Sequence, residues 1–265
     1  MQSIGVLGVG ALTEKVVRGL RRSGYSGAIR LSPRNQQRAQ ALSDESDCQV
    51  MPDNQSVIDH SDIVILGVRP DVVGQLAEEV TVAPGKTLIS VVAGMTLASL
   101  AQHFPDAQVV RVMLSYAAEI NSTTVVIYPH NDLVEQCMAP LGASILLDDE
   151  GAFELATVAA CMNGWFYFWL QDLQQWFVDQ GMPEAQAKQL VLSNMQDCLA
   201  SAKHQPDAGL AAMGRAIASP GTFTDRGVEL LRKHEVSRPW STACDATLQW
   251  LTTDSAGSKP KAGTD

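Results

Sequence analysis

Two short stretches carry residues of a type and spacing that can do chemistry. The first is "GVGALT", Gly8 to Thr13, which follows an apolar β-branched run and opens a helical pattern. Gly8 permits a tight strand-to-helix turn. Gly10 lets the backbone approach an anion at the positive end of the helix, with Ala11 and Leu12 completing the contact. Thr13 stands where a glycine or alanine usually serves helix–strand packing, so the packing is strained while the phosphate site is kept. The second stretch is "ASPGTFTD", Ala218 to Asp225, which breaks an otherwise helical half of the chain. A helix start supplies unpaired N–H groups and a positive dipole end, and Ser219, Thr222 and Thr224 add hydroxyls, which suits an anion. The alternative is a plain interhelical turn capped by Thr224 or Asp225.

A glycine turn between a first strand and a first helix is the fingerprint of dinucleotide binding, and its alternative is a turn without ligand. Choice of dinucleotide is read after the second strand, in "IRLSPRNQQR". An NAD site carries a carboxylate there for the ribose hydroxyls. Here Ser32 and Arg34 occupy the region, and a hydroxyl with a guanidinium suits the 2′-phosphate of NADP. The alternative is that Arg34 and Arg38 are solvated helix residues. Val68 and Pro70, in "LGVRPDVV", fall at the carboxyl edge of the sheet, with Arg69 facing solvent. Ala93 and Gly94, in "VVAGMT", leave room at the same edge for a nicotinamide.

The elements that position these residues differ between the two halves. Up to about Asp148, strand-length runs ("SIGVLG", "AIRLS", "DIVILGV", "TLISVV", "AQVVRVM", "TTVVIY") alternate with helical patterns. Several are apolar throughout, as when helices cover both sheet faces. This predicts an α/β fold, a doubly wound, mostly parallel Rossmann-type domain over residues 1–149. From Glu150 the strands vanish, and helices are expected over 150–180, 183–203, 208–218, 225–234 and 241–252. They form an all-α dimerisation and substrate domain over 150–252, followed by a disordered tail over 253–265.

Composition excludes several classes. A net charge of −10 argues against nucleic acid or an anionic membrane as partner, so any bound anion is held locally. Five scattered cysteines without a C-x-x-C pair, and no basic leader in "MQSIGVLGVG", point to reduced thiols and a cytoplasmic protein. Five histidines without ligand spacing argue against a metal. The apolar run from Ala152 to Leu170 is interrupted by Glu154 and Asn163, which fits a helix surrounded by protein better than a membrane span. Trp165, Trp169, Leu173 and Trp176 follow helical spacing, as in a core or a subunit interface.

The whole layout resembles the pyrroline-5-carboxylate reductase family, from about Ile4 to Leu251. The likeness rests on "GVLGVGALT", "SPRN", "GVRP", "SVVAGMTLASL", "RVM" at Arg111 to Met113, and "ASPGTFTDRGVELL". It implies reduction of a cyclic imine acid to proline with NADPH by a cytoplasmic homodimer, or a higher oligomer, joined through the helical domain. It also implies that Ser219, Gly221, Thr222 and Thr224 bind the substrate carboxylate, and that Thr224 acts catalytically near the imine nitrogen. Two signatures depart from the family. Leu114 to Ala117 replace a Pro-Asn-Thr-Pro run, and "CMNGWFY" keeps only Gly164 and Tyr167 of Ser-Gly-Ser-Gly-Pro-Ala-Tyr. Thr222 and Phe223 likewise replace a glycine and a threonine. Two further readings therefore stand beside the first: a reductase of another imine or carbonyl acid, and a non-catalytic NADP-binding paralogue.

Overall fold

The computed structural model describes residues 2–254. Its N-terminal half alternates strands and helices in the order the apolar runs predict. β1 (Ile4–Leu7) leads to α1 (Ala11–Arg22), β2 (Ile29–Leu31) to α2 (Gln36–Ser46), and β3 (Gln49–Val50) to α3 (Asn54–Asp59). β4 (Ile63–Leu66) then leads to α4 (Pro70–Glu79), β5 (Thr87–Ser90) to α5 (Leu97–His103), and β6 (Gln108–Met113) through a 3-10 turn to β7 (Thr123–Tyr128). α6 (Asp132–Met138) and β8 (Gly142–Leu146) complete the set. The sheet order is β3-β2-β1-β4-β5-β6-β7-β8, and β6–β7 is its antiparallel pair among parallel neighbours. This is a Rossmann-like mixed sheet.

The alternation within each strand assigns its residues to two cores. Ile4, Val6, Ile63 and Ile65 pack with Val16, Val17 and Leu20 of α1 on one face. Leu7, Val64 and Leu66 pack with Val57, Val73, Leu76 and Leu100 of α3, α4 and α5 on the other. Both faces are therefore dry, and this is why β1, β4 and β5 are apolar throughout. Two strands escaped the sequence reading: β3 has only two residues, and β8 is largely exposed.

The helical half comprises α7 (Glu150–Asp179), α8 (Glu184–His204), α9 (Leu210–Ile217), α10 (Phe223–Lys233) and α11 (Ser237–Asp254). α11 starts four residues earlier than expected, because Pro239 falls in the first turn, where its missing N–H costs nothing. Thr253 and Asp254 close α11 instead of beginning a tail, and residues 255–265 of that expected tail lie outside the described residues. The chain divides into two compact units, and the division falls inside helices. Among the described residues, one unit runs to Ala160 and takes in Thr247–Asp254; the other is Cys161–Ala246.

Within the second unit the aromatic run of α7 is not surrounded by its own chain. Trp240 gathers Trp165, Phe166 and Trp169 at 5.5–6.4 Å between ring centroids. Tyr167 and Phe168 stand 72% and 70% exposed, so any enclosure of this stretch has to come from outside its own chain. No helix among the described residues is long and apolar enough to cross a membrane.

Candidate active site

The glycine motif leaves no room for a side chain at Gly8, whereas a Cβ at Gly10 would meet only Gly67 O, at 3.8 Å. Gly8 has φ +88°, and a Cβ there would meet Val68 Cγ1 at 2.6 Å and the Gly67 carbonyl carbon at 2.9 Å. Thr13 is not a defect. It is buried, its hydroxyl donates to Gly8 O at 2.8 Å, and it accepts from Gly10 N–H at 2.9 Å. Its methyl fits because position 67 has no side chain: a Cβ on Gly67 would stand 2.2 Å from Thr13 Cγ2. The expected strain is thus relieved by a glycine on the neighbouring strand's loop. Gly10 caps α1, and the amides of Ala11 and Leu12 lie in its first turn, where no intrahelical acceptor exists.

Ser32 directly follows β2 and is 1% exposed; its Oγ accepts the Gly8 N–H at 2.9 Å, tying the end of the second strand to the glycine turn. Arg34 is exposed and has no hydrogen-bond or ion-pair partner among the described residues, whereas Arg38 is committed to Glu14. Asn35 caps α2 and donates to Val9 O at 3.0 Å, which holds the Ser32–Asn35 loop against the turn. Gly8, Ser32, Arg34 and Val68 line one cavity of about 190 Å³. Pro70 opens α4, and Arg69 is 79% exposed as expected, paired with Asp71 at 3.0 Å. Pro70, Ala93 and Gly94 line a second cavity, off the ends of β4 and β5.

The Ser-Pro-Gly turn belongs to the second unit. Thr222, not Thr224 or Asp225, is the N-cap of α10: its Oγ1 accepts from Asp225 N at 3.2 Å and donates to Ser219 O at 2.8 Å. Thr222 takes the role because it is the last extended residue before the helix, at φ −75° and ψ 163°. Gly221, at φ +84°, donates its N–H to Asp225 Oδ2 at 3.0 Å, and Ser219 Oγ donates to Ala216 O. Thr224 is exposed in the first turn of α10, and its hydroxyl has no partner among the described residues. Phe223 beside it is 90% exposed.

Other chemistries find little support. All five cysteines are free, and burial pushes the Cys137 thiol up to about 11 and raises those of Cys48 and Cys161, so none of these three is a ready thiolate. One group of possible metal ligands, His130, Asp132 and Glu135, lies together on the surface of the N-terminal unit.

Residues 3–94 match the family model "NADP oxidoreductase coenzyme F420-dependent", and residues 151–252 match "Pyrroline-5-carboxylate reductase dimerisation". Pyrroline-5-carboxylate reductase 2 of Bacillus subtilis is 23% identical over 247 residues, 88% of this chain and 87% of that protein. The chain fits a divergent member of the pyrroline-5-carboxylate reductase family.

Solved structures agree on the fold. The 1-pyrroline-5-carboxylate reductase of Streptococcus pyogenes superposes with a TM-score of 0.84 at 23% identity, covering 95% of this chain and 98% of that one. The Plasmodium falciparum pyrroline carboxylate reductase, solved with NADP bound, gives 0.83 at 18%, covering 96% and 98%. Against the family's pattern, Trp165 stands where a proline is expected, so the backbone N–H is kept and α7 runs unbroken from Glu150 to Asp179.

Sequence reasoning missed three features near the site. Arg111, noted only as part of "RVM", is a buried charge whose sole signal was its place in an apolar strand. Gly67 reads only as part of "GVRP", and its packing against Thr13 shows only in the fold. Trp250, taken as an ordinary helix residue, lies beside Pro70, Ala93 and Gly94.

Proposed function

We propose that the chain is an NADP-dependent reductase of the carbon–nitrogen double bond of a cyclic imine acid, acting as a cytoplasmic homodimer. The observation that carries this reading is Arg34, exposed and without a partner among the described residues, on the wall of the cavity that Gly8 also lines. The residues fit the cofactor: a cradle that a Cβ would fill at Gly8, two first-turn amides at Ala11 and Leu12, and a guanidinium with Ser32 where a carboxylate would favour NAD. Bound there, the dihydronicotinamide supplies the hydride that saturates the imine carbon.

The chain's own contribution is positioning. Ala93 and Gly94 keep the edge beyond β5 free of bulk. Ser219, Gly221 and Thr222 shape the turn that orients the substrate carboxylate, and the first amides of α10 offer it donors. The Thr224 hydroxyl oxygen accepts a hydrogen bond from the N–H of the protonated substrate imine. The turn holds no Lys, His or Glu, so the substrate brings its proton as an iminium.

Phe223 favours a second reading in which the substrate is a different imine acid, because an aromatic side chain 90% exposed replaces a threonine beside Thr224. NADPH oxidation against a panel of cyclic imine acids tests both. Proline formation from 1-pyrroline-5-carboxylate supports the first, and turnover only of bulkier imines supports the second. Tight NADPH binding with no turnover across the panel identifies a non-catalytic paralogue and overturns both.

A further inference from the structure

The last helix ends against the ligand edge of the sheet in its own unit. α11 re-enters the N-terminal unit at Thr247. There Thr247, Trp250 and Leu251 line, with Pro70, Ala93 and Gly94, a cavity of about 270 Å³. A Cβ on Gly94 would lie 4.0 Å from Leu251 Cδ2, so helix and loop are within van der Waals reach. Pro70 follows β4 and Ala93–Gly94 follow β5, two paired parallel strands, so the cavity lies off their carboxyl ends, where an open α/β sheet holds its ligand.

The two sides of α11's end have different tasks. Thr247 is buried at 9% exposure, so it and Leu251 seat the helix. Trp250 lines the same cavity yet stays 60% exposed, so most of its ring takes no part in holding the fold. An apolar cavity of ~150 Å³ already admits a benzene ring, so this one seats one flat ring, with Trp250 on its wall to meet a ring lying against it. A flat, rigid aromatic wall is well suited to hold one by stacking.

We propose that Trp250 is a specificity-determining wall of the reaction pocket, standing beside the nicotinamide and packing on the apolar face of a ring-shaped imine substrate. The inference rests on the reductase reading above and extends it. Trp250 supplies a substrate contact that lies within the N-terminal unit itself. It commits the pocket to an imine with a flat apolar ring, and it makes the compact pyrroline acid the less demanding case.

The test uses the full-length protein and the variants W250A and W250F. Contact with an oxidised nicotinamide quenches indole emission, so saturating NADP⁺ quenches one component of the wild-type emission, and that component is absent in W250F, while calorimetry gives W250F an NADP⁺ affinity close to wild type because phenylalanine keeps an aromatic contact. In W250A the KM for a cyclic imine carrying a fused aromatic ring rises about tenfold, the scale of one lost aromatic contact. KM for 1-pyrroline-5-carboxylate moves far less, and W250F restores the aryl-imine KM. Quenching that persists in W250F, or an aryl-imine KM unchanged in W250A, overturns the proposal. If the wild type binds NADPH but reduces no imine, the reductase reading fails, and the quenching alone then decides whether Trp250 stands at the nicotinamide.

Discussion

Arg111 Nη1 lies 2.6 Å from Glu154 Oε1, with the two side chains 1% and 8% exposed, so a buried ion pair ties β6 to the start of α7. The same Nη1 is 2.7 Å from Glu150 Oε1, which also accepts the Leu97 N–H at 2.6 Å. The guanidinium carbon sits 4.2 Å from the centroid of Phe153, a cation–π contact that offsets part of its desolvation. Arg111 Nε and Nη2 and Glu154 Oε2 have no partner among the described residues, so the pair stands at high stakes. Arg111→Met strands the Glu154 carboxylate and costs ~3–5 kcal/mol in denaturant unfolding at fixed protein concentration. Adding Glu154→Leu recovers most of that loss. A single variant as stable as wild type would show that the pair carries no such role.

Arg34 makes a different kind of prediction, because nothing in the fold depends on it. Arg34→Ala weakens NADPH by about 10- to 150-fold, the range of one charge-assisted hydrogen bond, and leaves NADH affinity and melting temperature unchanged. Titration calorimetry with both cofactors measures it. Equal losses for the two would remove Arg34 from the 2′-phosphate.

Thr222 and Thr224 are separable although they are two residues apart. Thr222→Ala removes the cap of α10 and costs ~1 kcal/mol of stability. Thr224→Val keeps the cap and the shape, so the fold and NADPH affinity hold while turnover falls about tenfold, the scale of one neutral hydrogen bond. Steady-state kinetics beside thermal melting distinguishes the two. Full activity in Thr224→Val would leave the break between α9 and α10 as a capped turn alone.

Tyr167 and Phe168 predict the assembly. Two aromatic side chains more than two-thirds exposed on adjacent positions of α7 are a poor surface for a lone chain in water. Sedimentation at micromolar concentration is expected to show a dimer, and Phe168→Asp to shift it to monomer or aggregate. A well-behaved wild-type monomer would contradict the homodimer.

Much of this molecule is legible in local pattern. The apolar runs of β1, β4 and β5, the turn at Gly8 and Gly10, and the break at Pro220 follow from short-range sterics and from burial on two faces, which a few neighbouring residues encode. What the tertiary structure decided depends on residues far apart in the chain. Thr13 reads as a strained substitution until Gly67 is brought against its methyl. Ser32 reads as a phosphate ligand by type alone, and only the fold shows that its oxygen also accepts the Gly8 amide. Arg111 acquires its carboxylates only when α7 crosses β6, and Trp250 reaches Pro70 and Gly94 only because α11 returns to the first unit. Close approach, charge pairing and cavity walls are set by which surfaces pack, and no local propensity carries that information.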